Sequence, residues 1–299
     1  MRAVAFESYG PPDVLHLSDL PEPVPGPAQV RVRVRAAGVN PFDYKQRSGM
    51  MARGVPLDHP VVLGLEASGV VDQVGAGVEG VAVGEEVFGL GSGTYAESAL
   101  LRAWAPKPAG LGWAEAAGLA VAGETSIRVL DLLALEPGQT LLVHGAAGGV
   151  GQTAVHLAVA DGLRVIATAS ERNHDLLRRL GAEPVVYGEG LAARVAALAP
   201  NGVHGVFDAA GTQLDDLLTI AGTPNHVVTI ANYSAAEQGV RFSGGGGDAS
   251  AALRKVAALA ASGRLTVRVA AAFELADAAS AHRLSESRHA DGKIVLTVN

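Results

Sequence analysis

The sequence predicts an α/β protein, with a β-rich first hundred residues followed by a parallel sheet covered by helices on both faces. Three observations carry this. Period-two runs separated by glycine turns fill the first part of the chain. From Thr140 onward, short apolar strands alternate with helical stretches, the pattern of βαβ units. A glycine loop, Gly145-Ala-Ala-Gly-Gly-Val-Gly151, falls between one such strand and the next helix.

The elements follow in order. Met1–Phe6 reads as a short apolar strand. Prolines 21, 23, 25 and 27 make 21–27 an extended loop, because proline cannot donate to a sheet ladder. Gln29–Ala36 alternates with period two, the mark of a half-buried strand. Gly64–Val74 and Glu85–Leu90 are further strands. Trp113–Ala122 and Ser126–Ala134 read as two helices. The alternation then runs strand Thr140–His144, helix Gly149–Asp161, strand Leu163–Ala167, helix Arg172–Leu180, strand Pro184–Tyr187, helix Leu191–Ala199, strand Gly202–Phe207, helix Gln213–Ala221 and strand His226–Ala231. A helix over Ser250–Ala261 has Asp248 or Ser250 as its cap and Gly263 beyond its end. Leu265–Phe273, helix Ala276–Ser285 and Lys293–Val298 close the chain. Gly244–Gly247 is the single low-complexity segment and reads as a connection near a domain join.

Composition narrows the function. The 299 residues suit two domains, and 23 Lys+Arg against 30 Asp+Glu give a net charge of −7, which argues against nucleic acid as a partner. The chain has no cysteine, which excludes disulfides, thiolate nucleophiles and cysteine zinc sites, and fits a reducing compartment. No apolar stretch of about 18 residues lacks a charge, so no membrane span is expected. Glu7 interrupts the N-terminus before an apolar core accumulates, so no signal peptide is expected, and the location expected is cytoplasmic.

The glycine loop carries the chemistry. Ala146-x-Gly148-x-x-Gly151 matches the dinucleotide-binding fingerprint, with alanine at the first glycine position. A helix N-terminus presents unpaired N–H groups and partial positive charge, which attract a pyrophosphate. Gly148 lets the backbone approach that phosphate, with Gly149 and Val150 beside it, and Gly151 lets the helix lie against the sheet. The alternative is a glycine turn that serves packing only. A site for NAD usually has an acidic residue about 20 residues further on. Here Ser170 stands at the end of the second strand, where its small hydroxyl leaves room for a 2′-phosphate, and Arg172 can donate to it. This favours NADPH; Glu171 keeps NADH open, and Arg172 can equally be a solvated charge.

With this loop in place, the chain resembles the medium-chain dehydrogenase/reductase superfamily, and within it the zinc-independent quinone oxidoreductase (zeta-crystallin-like) and enone reductase group. The resemblance covers the whole chain. It rests on Ala37-Gly-Val-Asn-Pro-Phe-Asp43, Arg47-Ser-Gly49, Gly64-Leu-Glu-Ala-Ser-Gly69, Gly123-Glu-Thr125, Ala146–Gly151, Phe207-Asp-Ala-Ala-Gly211 and Gly292-Lys-Ile-Val-Leu296. It implies a GroES-like β-rich catalytic domain, residues 1–113 and 265–299, and a Rossmann domain, residues 114–264, with the active site in the cleft. Zinc-dependent relatives carry a cysteine where this chain has Asn40 and a histidine where it has Leu65, so the resemblance implies hydride transfer without zinc to a quinone or an α,β-unsaturated carbonyl.

The resemblance also implies site residues. Many relatives place a tyrosine five residues after the asparagine; here that position is Lys45, and the tyrosine is Tyr44. The Asn-Pro-x-Asp-x-Lys form is similar to enone and alkenal reductases. Lys45 is read as the contact to cofactor ribose or substrate oxygen, with Tyr44 second; the plain alternative is a surface lysine and a packed aromatic. Asn40, Thr125, Tyr187, Ala210, Gly211, Ala231, Asn232 and Lys293 are the further cofactor positions implied. His144 and His156 read as packed structural groups. The chain is shorter than usual for the group, with the saving expected around Tyr233–Gly247. A homodimer is expected by resemblance. Two other functions stay open, an enoyl-thioester reductase and a non-catalytic NADPH-binding protein.

Overall fold

The computed structural model describes every residue of the chain except Arg53. The chain divides into two compact units, Met1–Val121 with Ala249–Asn299, and Ala122–Asp248.

The first unit holds strands β1 (Arg2–Phe6), β2 (His16–Asp19), β3 (Val30–Val39), β4 (Val61–Val62), β5 (Glu66–Val74), β6 (Glu86–Ser92) and β7 (Ser98–Pro106), with helix α1 (Pro41–Arg47) between β3 and β4. Helix α2 (Trp113–Leu133) follows and carries the chain across the boundary at 121/122. The second unit is built from β8 (Thr140–His144), α3 (Gly149–Ala160), β9 (Arg164–Thr168), α4 (His174–Arg179), β10 (Glu183–Val185), α5 (Leu191–Leu198), β11 (Gly205–Asp208), α6 (Leu214–Ala221), β12 (Val227–Thr229) and β13 (Arg241–Phe242). Helix α7 (Ala249–Ala261), β14 (Val269–Glu274), α8 (Ala278–Ser287) and β15 (Lys293–Thr297) return to the first unit.

In the first unit β14-β15-β3-β5-β6-β7 form one sheet, and a further β3–β7 pairing closes β3, β5, β6 and β7 on themselves. Closure removes the exposed edges that an open sheet must otherwise protect. The inward side chains of β3, Val30, Val32 and Val34, meet Leu63, Val71, Tyr95, Ile294 and Leu296 in one core. Burying each large apolar side chain contributes about 1.5–3 kcal/mol. The outward Arg31 pairs with Asp72 at 2.9 Å and with Glu22 at 3.0 Å.

The second unit is a six-stranded, wholly parallel sheet in the order β10-β9-β8-β11-β12-β13. Counted along the chain this is 3-2-1-4-5-6, the Rossmann order. Its strands are apolar on both sides because helices cover both faces. Leu141 and Val143 of β8 pack toward Ala154, Val155 and Ala158 of α3, whereas Leu142 packs with Ile166, Val195 and Leu217 on the other side.

Two sequence readings need correction. Trp113–Leu133 is one helix, not two, because neither Gly123 nor Ser126 breaks it. The Ser126 hydroxyl bonds back to the Ala122 carbonyl at 2.7 Å, the local hydrogen bond that a helix accommodates. Residues 40–47, to which the sequence pattern assigns no element, are a capped helix. Asn40 is the cap, Pro41 holds the first helical position, and the Asp43 carboxylate accepts the Asn40 backbone N–H at 2.7 Å. Strands β2, β4, β7 and β13 were not anticipated. Among the described residues, no helix is long and apolar enough to cross a membrane.

Candidate active site

In a parallel sheet of this order, ligands bind outside the carboxyl ends of the strands, near the point where the order reverses, here between β8 and β11. All six strands run the same way, so the segments that follow them share one edge. After β8 the chain turns through Gly145, at φ +82°, and enters α3 with Gly148 as a cap that has no side chain and makes no capping bond. The first-turn donors of α3 are therefore offered outward. At Gly148 an added Cβ meets only the Gly145 carbonyl oxygen, at 3.7 Å, so the approach is open. At Gly151 a Cβ would lie 2.3 Å from that same oxygen and 2.7 Å from Ala146 Cα, so the close contact of helix and loop depends on glycine. These features fit a pyrophosphate.

The structure brings most of the expected cofactor residues to this edge. Ser170 and Arg172 follow β9, Tyr187 follows β10 and is about half exposed, Ala210 and Gly211 follow β11, and Ala231 and Asn232 follow β12. Ala146 is buried, and its N–H donates to the Thr168 carbonyl at 3.0 Å. His144 is locked by two hydroxyls, Thr168 on Nδ1 at 2.8 Å and Thr212 on Nε2 at 3.1 Å, and burial lowers its pKa. It serves the strand end as a neutral structural group.

Two residues that shape this edge were missed. Asp208, the last residue of β11, accepts N–H bonds from Ala210 and Gly211 on Oδ1, at 3.0 and 2.8 Å. Its Oδ2 accepts the Thr229 hydroxyl at 2.7 Å, and that hydroxyl in turn accepts N–H bonds from Ala231 and Asn232, at 3.2 and 3.1 Å. One carboxylate and one hydroxyl thus fix both loops. The signal was present, since each residue ends a strand and each lies two or three positions before the N–H groups it serves. Thr229→Val keeps the shape but leaves Asp208 Oδ2 and two N–H groups unpaired. It is expected to cost about 1–3 kcal/mol, read from urea unfolding.

Thr125 is buried on α2, in the second unit. The other expected residues belong to the first unit. Asn40 and Lys293, expected at the cofactor, are both buried and bonded to each other. Lys293 Nζ donates to Asn40 Oδ1 at 2.7 Å and to Glu66 Oε1 at 2.5 Å, and Asn40 Nδ2 donates to Glu66 Oε1 at 2.9 Å. Glu66 Oε2 accepts the Val121 N–H of α2 at 2.6 Å. Tyr44 is buried in α1, whereas Lys45, one residue on, is half-buried, and its pKa is lowered by desolvation and by the charge of Arg288.

Beneath α1 lies a second buried polar group. Asp43 Oδ2 accepts the Tyr95 hydroxyl at 2.9 Å, and the Tyr95 hydroxyl oxygen lies 3.3 Å from His282 Nε2. Asp43 Oδ1 is buried without a partner, and burial pushes the carboxyl up to about 7. Burial, with the Arg47 charge second, pushes His282 down to about 3. The raised acid contributes stability that is complete below about 3.8 and lost as pH rises to about 7. The depressed histidine contributes stability that is complete above about 6.5 and lost as pH falls to about 3. The two oppose each other over roughly pH 4–6.5. In that window Asp43→Asn should leave a stability that rises with pH and His282→Asn one that falls, both read as the melting temperature at the two ends.

Comparison with known proteins agrees with this architecture. Residues 26–109 match the alcohol dehydrogenase GroES-like domain, and residues 180–296 match the family described as zinc-binding dehydrogenase. The chain is 38% identical over 192 residues to the quinone oxidoreductase of Rattus norvegicus, covering 62% of this chain and 58% of that protein. It is 36% identical over 202 residues to the 2-methylene-furan-3-one reductase of Solanum lycopersicum, covering 61% of this chain and 51% of that protein. The matched part thus spans little more than half of these curated relatives. The solved quinone oxidoreductase of Coxiella burnetii superposes with a TM-score of 0.86 at 30% identity, covering 100% of this chain and 99% of that one. The chain belongs to the medium-chain dehydrogenase/reductase superfamily.

The residues do not fit the zinc that the second family description implies. The chain has no cysteine, and the Asn40 amide is bonded to a carboxylate and an ammonium. Among the described residues, no group of three or more His, Cys, Asp or Glu side chains could hold a metal ion. A lysine ammonium this close to Asn40 also repels a divalent cation.

Proposed function

We propose that this protein is an NADPH-dependent oxidoreductase that reduces a quinone or an α,β-unsaturated carbonyl without zinc. One observation supports the reading: Asn40 stands hydrogen-bonded to Glu66 and Lys293 where zinc-dependent relatives carry a ligand, in a chain whose α3 opens on an uncapped glycine turn. Without a Lewis acid, the substrate must arrive already activated. A conjugated carbonyl meets this requirement, because hydride added at carbon moves charge to oxygen.

Bound NADPH supplies the hydride. The first turn of α3 holds its pyrophosphate, and Ser170 with Arg172 accommodates the 2′-phosphate. Lys45 faces the developing oxygen charge, where a half-desolvated ammonium is more effective than one in open water. Tyr44, buried in α1, is the second candidate for that contact. The proton that completes the product comes from water, which needs no dedicated acid. The names of the two curated relatives, one a quinone oxidoreductase and the other a reductase of a conjugated ketone, support the same chemistry.

The reading is tested with purified, chelator-treated protein, by following NADPH and NADH loss with a small quinone and a short enone. Faster loss of NADPH with either substrate supports it. Tight NADPH binding with no turnover supports a non-catalytic binding protein instead. Ser170→Asp places a carboxylate against the 2′-phosphate and should move the kcat/KM preference toward NADH; an unchanged ratio would remove Ser170 from the site. Lys45→Ala should lower turnover by about 10–100-fold, roughly 1.4–2.7 kcal/mol of transition-state stabilisation. Wild-type rates would make Lys45 a surface charge.

A further inference from the structure

Arg128 has no part in the function described so far, yet it is among the most heavily bonded side chains of the second unit. Its side chain is 10% exposed and lies on α2. Nε donates to Glu124 Oε1 at 2.8 Å, and Nη2 donates to Glu124 Oε2 and to Thr125 Oγ1, each at 3.3 Å. Nη1 donates to the Ser243 carbonyl at 3.1 Å and also to the Ser243 hydroxyl. A guanidinium has five donors in a rigid fork, and here they are divided between a neutralising carboxylate and two other residues.

The two residues it joins stand at a telling place. Ser243 is the residue after β13, the edge strand beyond β12, and its N–H is held by the Thr229 carbonyl at 2.8 Å. It lies at the same carboxyl edge of the sheet as the glycine loop. After it come four glycines, 244–247, with Gly246 and Gly247 at φ +107° and +77°. Glycines have no side chains with which to fix their own course. The residue before them, Ser243, is held by Arg128. One residue before the middle of the same turn of α2, the Ser126 hydroxyl lies 3.2 Å from the Val150 carbonyl, in the first turn of α3. Within residues 125–128 of α2, Ser126 thus reaches the first turn of α3 and Arg128 the exit of β13.

A Rossmann sheet has two mononucleotide halves. Ser170, Arg172 and Tyr187, after β9 and β10, lie on the adenosine side. Ser243, after β13, lies with the other half, and Arg128 joins it to Thr125 of α2. We propose that Arg128 is a positioning residue for the nicotinamide half of the cofactor: it sets the Thr125 hydroxyl and the 243–247 segment in register, and takes no part in holding the adenosine half. This rests on the NADPH reading above.

The test separates the halves. Binding of NADPH and of adenosine 2′,5′-bisphosphate, its adenosine half, is measured by calorimetry on the wild type, Arg128→Met and Arg128→Lys. In Arg128→Met, NADPH should bind about tenfold more weakly while the bisphosphate changes less than about twofold. Arg128→Lys can pair with Glu124 but lacks the fork that reaches Thr125 and Ser243 together. Its melting temperature should return toward wild type while its NADPH affinity stays low. That divergence would not arise from a merely structural ion pair. Equal weakening of both ligands, unchanged NADPH binding in Arg128→Met, or full recovery of NADPH affinity in Arg128→Lys would each overturn the proposal. A wild type that binds neither ligand would overturn the NADPH reading itself, and the assignment of Arg128 with it.

Discussion

The first unit depends on one buried charge. Glu66 has no exposed surface, and a carboxylate in that position must be paired or it destabilises the fold. Three elements supply the partners: Lys293 from β15, Asn40 from the cap of α1, and the Val121 N–H from α2. Segments far apart in the chain are thereby tied to one side chain on β5. The same charge limits the neighbouring strand. At Gly38 an added Cβ would lie 2.1 Å from Glu66 Oε1, so any larger residue would push the carboxylate off its partners.

The second unit solves a similar problem at its functional edge. Loops after parallel strands lose their ladder partners as soon as the strand ends, and their N–H groups need acceptors. Asp208 and Thr229 provide these acceptors at two adjacent strand ends and bond to each other as well. Gly211, at φ +73°, completes the arrangement, because a Cβ there would lie 2.9 Å from the backbone of Ala231. The two loops are packed as one surface. In both units, then, a fully buried carboxylate fixes the backbone next to the residues expected to do chemistry.

Much of this was legible in the sequence. Every βα unit from Thr140 to Ala231 was found within a few residues, because strands buried on both faces are short apolar runs. The glycine loop was legible because its packing needs glycine, since Gly151 cannot carry a side chain so near Gly145. Strands β2 and β13 were not, being four and two residues long with no alternation to read. Helix α1 was passed over although Asn40-Pro-x-Asp43 is a cap signature, because seven residues are too few to show a helical period.

Local pattern by itself determined the fold class, the order of the parallel strands' βα units, the phosphate loop and the absence of cysteine ligands. Each of these is a property of neighbours in the chain: periodicity, turn chemistry, or residue type. Only tertiary structure decided what Asn40 and Lys293 do. They stand 253 positions apart, and nothing local to either one says that they share Glu66 between them. The same holds for Arg128 and Ser243, separated by 115 positions, and for Tyr95 and His282, separated by 187. A buried polar group takes its partner from whatever the fold brings near, and the need to satisfy it is visible only once the burial is known.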